Sequence, residues 1–168
     1  MTEMWIVASL LLTIWVGVAL RGTRYPYKAQ QRLFTKAEWR FYQQLDRAIG
    51  GTYLIMGKVR IADVLSVKGP KAHSKSWWKA FTRISSKHID FIICDRTNGT
   101  ILCGIELDDR SHFRDDRRRR DSFVNGAFDK AGLPLLRFRV QRHGYPPQVL
   151  RRAVANAVTS TFSQGDHA

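Results

Sequence analysis

A chain of 168 residues, 44% hydrophobic and 25% charged, is long enough to bury one sizeable core and too apolar to be disordered throughout. Its 28 Lys and Arg against 14 Asp and Glu give a formal charge of +14, an excess that attracts polyanions such as nucleic acid or an acidic membrane surface. Two cysteines, Cys94 and Cys103, make neither a metal-knuckle spacing nor a disulfide framework, which excludes a zinc-stapled or disulfide-stapled scaffold and fits buried thiols in a reducing compartment.

The run MWIVASLLLTIWVGVAL, from Met4 to Leu20, carries no charge. At 1.5 Å per residue it covers about 26 Å, close to the roughly 30 Å of a bilayer's hydrocarbon core. It is preceded by Glu3 and followed by Arg21, Arg24 and Lys28, the reverse of a cleaved signal peptide. That order favours an uncleaved transmembrane anchor over residues 1–21, with the following chain on the cytoplasmic side of an inner membrane. Residues 22–33 read as a tether, 34–162 as a folded domain and 163–168 as a disordered tail. Since the first twenty residues hold one acid and no base, the remainder carries 28 positive and 13 negative side chains.

FTKAEWRFYQQLDRAIGG has helix punctuation at both ends. Thr35 and Glu38 make a capping box, Phe34 and Trp39 a hydrophobic staple, and Gly50–Gly51 a stop. Ala37, Phe41, Leu45, Ala48 and Ile49 share one face. A strand is expected near Tyr53 to Val59, then an exposed basic loop or short helix over KGPKAHSKSWWKAFTR. After the hairpin HIDFIICDRTNGTILCGIELDD come a helix from about Phe113 to Ala131, the strand LPLLRFRV and a last amphipathic helix. In that helix Leu150, Ala153, Val154, Ala157 and Val158 keep helical spacing. The expected order of the domain is α-β-β-β-α-β-α, an α/β class.

The hairpin has two candidate registers around Asn98-Gly99. A two-residue turn sets Phe91 against Glu106 and mixes acids with apolar residues on both faces. A three-residue loop, Thr97-Asn98-Gly99 with Gly99 left-handed, sets Ile89, Phe91 and Ile93 against Leu107, Ile105 and Cys103. That register makes one face uniformly apolar, and a one-residue slip would destroy it. It also sets Asp90 against Glu106 and His88 against Asp108, places Ile92, Cys94, Leu102 and Gly104 on a second face needing cover, and points the two cysteines apart. Opposed carboxylates repel. Either a hard divalent cation such as Mg2+ or Mn2+ gathers Asp90, Glu106 and Asp108, or neighbouring Arg and Lys side chains neutralise them.

KHIDFIICD, GIELDDRSH, the Arg-rich helix ending FDKAG and LPLLRFRV together resemble the bacterial domain-of-unknown-function family DUF2726, placed in the PD-(D/E)xK restriction-endonuclease-like superfamily near the very-short-patch repair endonucleases. The resemblance spans roughly Phe34 to Val140. It implies a restriction-endonuclease-like α-β-β-β-α-β core, with Asp90 as first and Glu106 as second metal-binding carboxylate. Asp108 stands where the superfamily places a lysine; a carboxylate cannot supply that positive charge but can add a metal ligand. By the same resemblance His112 is the candidate base or phosphate contact, with Lys87 or His88 replacing the lysine. Glu38 is either a further metal ligand or the helix cap.

Lys75, Trp77, Trp78, Lys79 and Arg83 mix cations with aromatic rings, a combination suited to nucleic-acid stacking and phosphate contact, and Arg114 and Arg118 project from the Arg-rich helix. The function implied is a membrane-anchored, Mg2+-dependent nuclease acting on nucleic acid, DNA first. The alternatives are a catalytically inactive nucleic-acid-binding module on the same fold and a basic, lipid-associated domain.

Overall fold

The computed structural model describes residues 2–19, 25–69, 71–108 and 115–165, with the side chains at 2, 14, 16–19, 115–120 and 161–165 left aside. The chain divides into two compact units, Met1–Arg32 and Leu33–Ala168.

The first unit holds one helix, α1 (Thr2–Ala19). Its 18 residues include polar Thr2 and Glu3, so the uncharged part, Met4 to Ala19, reaches only about 24 Å, short of the roughly 30 Å hydrocarbon layer. Among the described residues no helix is long and apolar enough to cross a membrane. This corrects the expected transmembrane helix, and with it the anchor and the single-pass inner-membrane location drawn from it.

The second unit is a mixed α/β domain around a four-stranded sheet of order β1-β2-β3-β4. In chain order it runs α2 (Lys36–Ile49), β1 (Tyr53–Arg60), α3 (Ile61–Val64), α4 (Lys75–Ser85), β2 (His88–Asp95), β3 (Ile101–Asp108), α5 (Asp115–Lys130), β4 (Leu135–Arg139) and α6 (Pro147–Gly165). The first three strands pair antiparallel and β4 joins β3 parallel, which requires α5 as the crossover. Two helices, α3 and α4, stand between β1 and β2 where one loop or short helix was expected. Ser74 starts α4 by accepting the Trp77 N–H at 3.2 Å.

Local signals explain the elements that frame the site. Thr35 and Glu38 form both halves of the capping box, Phe34 stacks on Trp39 with ring centroids 6.2 Å apart, and α2 ends at Ile49 before Gly50. Phe41, Leu45, Ala48 and Ile49 of α2 meet Leu150, Val154, Ala157 and Val158 of α6 over one sheet face. The other face is covered by Ile61 of α3, Ile84 of α4, and Val124 and Phe128 of α5. Two faces each buried under helices account for the near-continuous apolar runs of β2 and β3.

The hairpin keeps the expected register where it matters: Phe91 pairs Ile105, Ile92 pairs Gly104 and Ile93 pairs Cys103. The loop differs. Gly99 is left-handed at φ 75°, but Asp95 bonds Thr100, so four residues make the turn and the extra residue appears as a bulge at Leu102 between the Cys103 and Ile101 pairings. The bulge sends Leu102 into the α2/α6 core instead of the opposite face. At the other end the ladder stops at Phe91. There Ile89 packs with Ile61 and Ile84, not with Phe91 and Ile93, because alternation breaks at Asp90. Cys94 and Cys103 are free and lie in different cores, as their faces predict.

Candidate functional site: a lysine between two carboxylates

The break at Asp90 has a visible cause. The Leu107 N–H donates to Asp90 Oδ2 at 2.9 Å, so a side-chain carboxylate takes the place a strand carbonyl would have filled. Asp90 Oδ1 faces β1, where Lys58 Nζ donates to it at 3.2 Å. The same ammonium donates to Glu38 Oε1 on α2 at 2.7 Å. Glu38 thereby serves two partners with two oxygens, since Oε2 accepts the Thr35 N–H at 2.8 Å. Capping and site membership are compatible after all, and the second partner is a lysine.

Lys58 is held there by an unusual backbone. It sits inside β1 at φ 55°, the left-handed region that costs an L-residue about 1–2 kcal/mol. Gly57 before it lets the Phe34 ring lie on the strand: a Cβ on Gly57 would come within 2.3 Å of Phe34 Cζ. Phe34 in turn stacks on Phe91, with centroids 5.5 Å apart. The Gly-Lys step is therefore the joint that aims an ammonium between α2 and β2.

Electrostatics follow from this geometry. Burial works to raise the Glu38 carboxyl, but the hydrogen bonds from Lys58 and Thr35 outweigh it and hold the pKa below the usual carboxylate value. Burial likewise works to lower Lys58, and the Glu38 hydrogen bond together with the Asp90 charge raises it. Glu38 and Lys58 thus form an ion pair at neutral pH, with the ammonium shared between the Glu38 and Asp90 side chains.

Asp108 and Lys87, also expected at the site, bond to other partners. Asp108 accepts from Arg137 Nη1 at 2.7 Å. Arg137 also donates through Nε to Asn125 at 3.0 Å, while its buried Nη2 stops 3.6 Å from Asp121 Oδ1, beyond hydrogen-bond reach. Glu106 lies half-buried on β3 opposite Arg137. Lys87 donates to the Arg83 carbonyl at 2.7 Å and lies 5.3 Å from the Phe123 ring, away from Asp90. His112 and Arg114 lie outside the described residues, as does the side chain of Arg118.

Among the described residues no group of three or more His, Cys, Asp or Glu is placed to hold a metal ion. The residues do not fit a resident divalent cation: lysine occupies the cation position between Glu38 and Asp90, and arginine neutralises Asp108. Glu38, Asp90 and Asp108 are thus answered by basic side chains, and the expectation of a magnesium-dependent nuclease finds no support among the described residues. Sequence reasoning missed Lys58. An isolated glycine followed by lysine inside a strand pattern was the available signal, because it marks a backbone irregularity.

Of the expected nucleic-acid contacts, α4 carries most. Lys75, Trp78, Lys79 and Thr82 fall on one helical face and all are exposed. Trp77 is turned the other way, stacked at 4.9 Å on Phe81, and His73 lies 5.1 Å from Trp77 and 5.9 Å from Trp78. Arg83 stands apart from that face, with its guanidinium 4.1 Å over the Phe123 ring.

Comparison with known proteins gives a family and one distant relative. A Haemophilus influenzae protein described as uncharacterized is 28% identical over 120 residues, which is 70% of this chain and 57% of the relative. The chain therefore matches little more than half of that protein's length. No solved structure matches. The family described as protein of unknown function (DUF2726) matches residues 30–157, most of the Leu33–Ala168 unit and its whole sheet, and the chain belongs to that family.

Proposed function

We propose that the Leu33–Ala168 unit binds nucleic acid through backbone phosphates and base stacking and does not hydrolyse it. Four of the 28 cations and one of the 14 acids lie in Met1–Arg32, leaving 24 against 13 in this unit. Such an excess attracts a polyanion. The observation that carries the reading is the exposed face of α4, where Lys75 and Lys79 flank Trp78, itself 49% exposed and backed by the Trp77–Phe81 stack. Cations on either side of a rigid, half-exposed indole suit a single strand, because every base has a face to stack and every linkage a charge to neutralise. The resemblance of roughly Phe34 to Val140 to the restriction-endonuclease-like superfamily supports the same substrate class. The Lys58 and Arg137 ion pairs favour binding without cleavage, since they already neutralise three of the four acids on which a metal would depend, Glu38, Asp90 and Asp108.

The test is fluorescence anisotropy of a labelled single-stranded oligonucleotide with the full chain, titrated across salt. Affinity should fall by about 0.9 log unit per log salt for each phosphate neutralised on duplex and about 0.7 on single strand. Trp78→Ala should weaken binding about tenfold at every salt concentration, and Lys79→Gln should lower the single-strand salt slope by about 0.7. Absence of binding at low salt would refute the reading. Cut ends that require Mg2+ and vanish in Asp90→Asn would replace it with hydrolysis.

A further inference from the structure

On the sheet face opposite the Lys58 site, α3 and the chain after it, α4, α5 and the start of β3 leave an open groove of about 840 Å³. That volume lies within the range of sites that enclose small ligands. Its floor is hydrocarbon: Leu65 and Ile84 on one side, Phe123 and Leu133 on the other. Among the described residues three cations stand in its lining, Lys68, Arg83 and Lys130, and no acid does. Ser66 is the one neutral hydroxyl or amide side chain among the described lining residues.

We propose that this groove binds a single-chain fatty carboxylate, with the hydrocarbon tail on the apolar floor and the carboxylate on Arg83. The charge pattern selects an anion, since three cations with no acid beside them repel an amine-headed amphiphile of the same shape. The polar inventory selects a bare hydrocarbon tail over a peptide. A peptide would bring backbone N–H groups that find Ser66 as the one side-chain acceptor in the described lining, whereas an acyl chain brings none and leaves the cations to its head group. Arg83 is the head-group residue because its guanidinium is already immobilised over Phe123 at 4.1 Å, and a planar fork fixed in place matches a carboxylate through two parallel hydrogen bonds. The site is independent of nucleic-acid binding on α4, whose Lys75–Trp78–Lys79 face is separate from the groove lining.

Isothermal titration calorimetry of the full chain with sodium decanoate, below its micelle concentration, tests the proposal against decylammonium as the opposite-charge control. A saturable one-site isotherm for decanoate and none for decylammonium is expected. Ala127→Leu and, separately, Ala80→Leu extend side chains into the empty groove without removing any contact. Each should abolish the saturable phase, and their residual heats define any background uptake by apolar α1. Arg83→Gln, which leaves the floor intact, should weaken decanoate about tenfold. Equal binding of decylammonium, or decanoate binding unchanged in both filled variants and in Arg83→Gln, would overturn the assignment. So would an oligonucleotide whose binding is lost on Ala127→Leu, since that would give the groove to nucleic acid.

Discussion

Replacing Lys58 with methionine removes the ammonium and keeps most of the aliphatic stem, so the variant isolates the charge between Glu38 and Asp90. Two charge-assisted hydrogen bonds disappear, at 2.7 and 3.2 Å, and each is worth about 1.5–3 kcal/mol when fully desolvated. Both carboxylates keep one backbone donor, Thr35 N–H and Leu107 N–H, and their side chains are 14% and 15% exposed, so water replaces part of what is lost. A net loss of about 2 kcal/mol at pH 7 follows, below the 3–5 kcal/mol of a fully buried broken pair. In a thermal melt this lowers Tm by roughly 6–8 °C for a unit of this size. The pH dependence has a definite sign. Glu38 is held below its unfolded value of 4.5, so its contribution is present above that pH and is lost as pH falls through the folded value. Methionine at position 58 removes most of that contribution, and the stability curves of wild type and variant should converge in acid. Lys58→Gly loses the same charge but relieves the left-handed backbone, and should be about 1 kcal/mol more stable than the methionine variant. Urea unfolding followed by circular dichroism at pH 7 and pH 3.5 measures all three. A Lys58→Met variant as stable as wild type at pH 7, or one with the same deficit at both pH values, would refute the account of the triad.

Gly104→Ala should cost about 1–3 kcal/mol by urea titration, because its Cβ would come within 2.8 Å of Phe128 Cε1 and 3.1 Å of Leu135 Cδ1 in the core beneath α5. Arg137→Met should destabilise by about 2 kcal/mol and leave Asp108 without its cation, and Asp108→Asn in the same chain should recover part of the loss in a double-mutant cycle. Burial and the neighbouring Cys94 push the Cys103 thiol up to about 12, so at pH 8 a disulfide reagent should label Cys103 only when the protein is unfolded. Rapid native labelling of Cys103 would contradict its place in the core.

Much of the molecule was legible because it is encoded at short range. The capping box and staple of α2, the apolar face of α6, the left-handed Gly99 and the Phe91–Ile105 register each follow from residues a few positions apart, or facing each other across one hairpin. The loop length and the faces of Ile89 and Leu102 did not, since the bulge at Leu102 and the break at Asp90 each shift alternation by one residue without changing composition. The site divides along the same line. That Asp90 sits at the dry end of a hairpin near other acids is a fact of the hairpin alone. Which cation answers it is a fact of the whole fold: Lys58 lies 20 residues from Glu38 and 32 from Asp90, and Arg137 lies 29 from Asp108. A chain with 28 cations offers many equivalent partners in sequence, and only the pairing of β1 with β2 and the crossover of α5 to β4 bring two particular ones to the carboxylates. Local periodicity thus determined the elements and their buried faces, whereas tertiary packing chose the charge partners, because Coulombic neutralisation depends on distance in space and leaves no spacing along the chain to read.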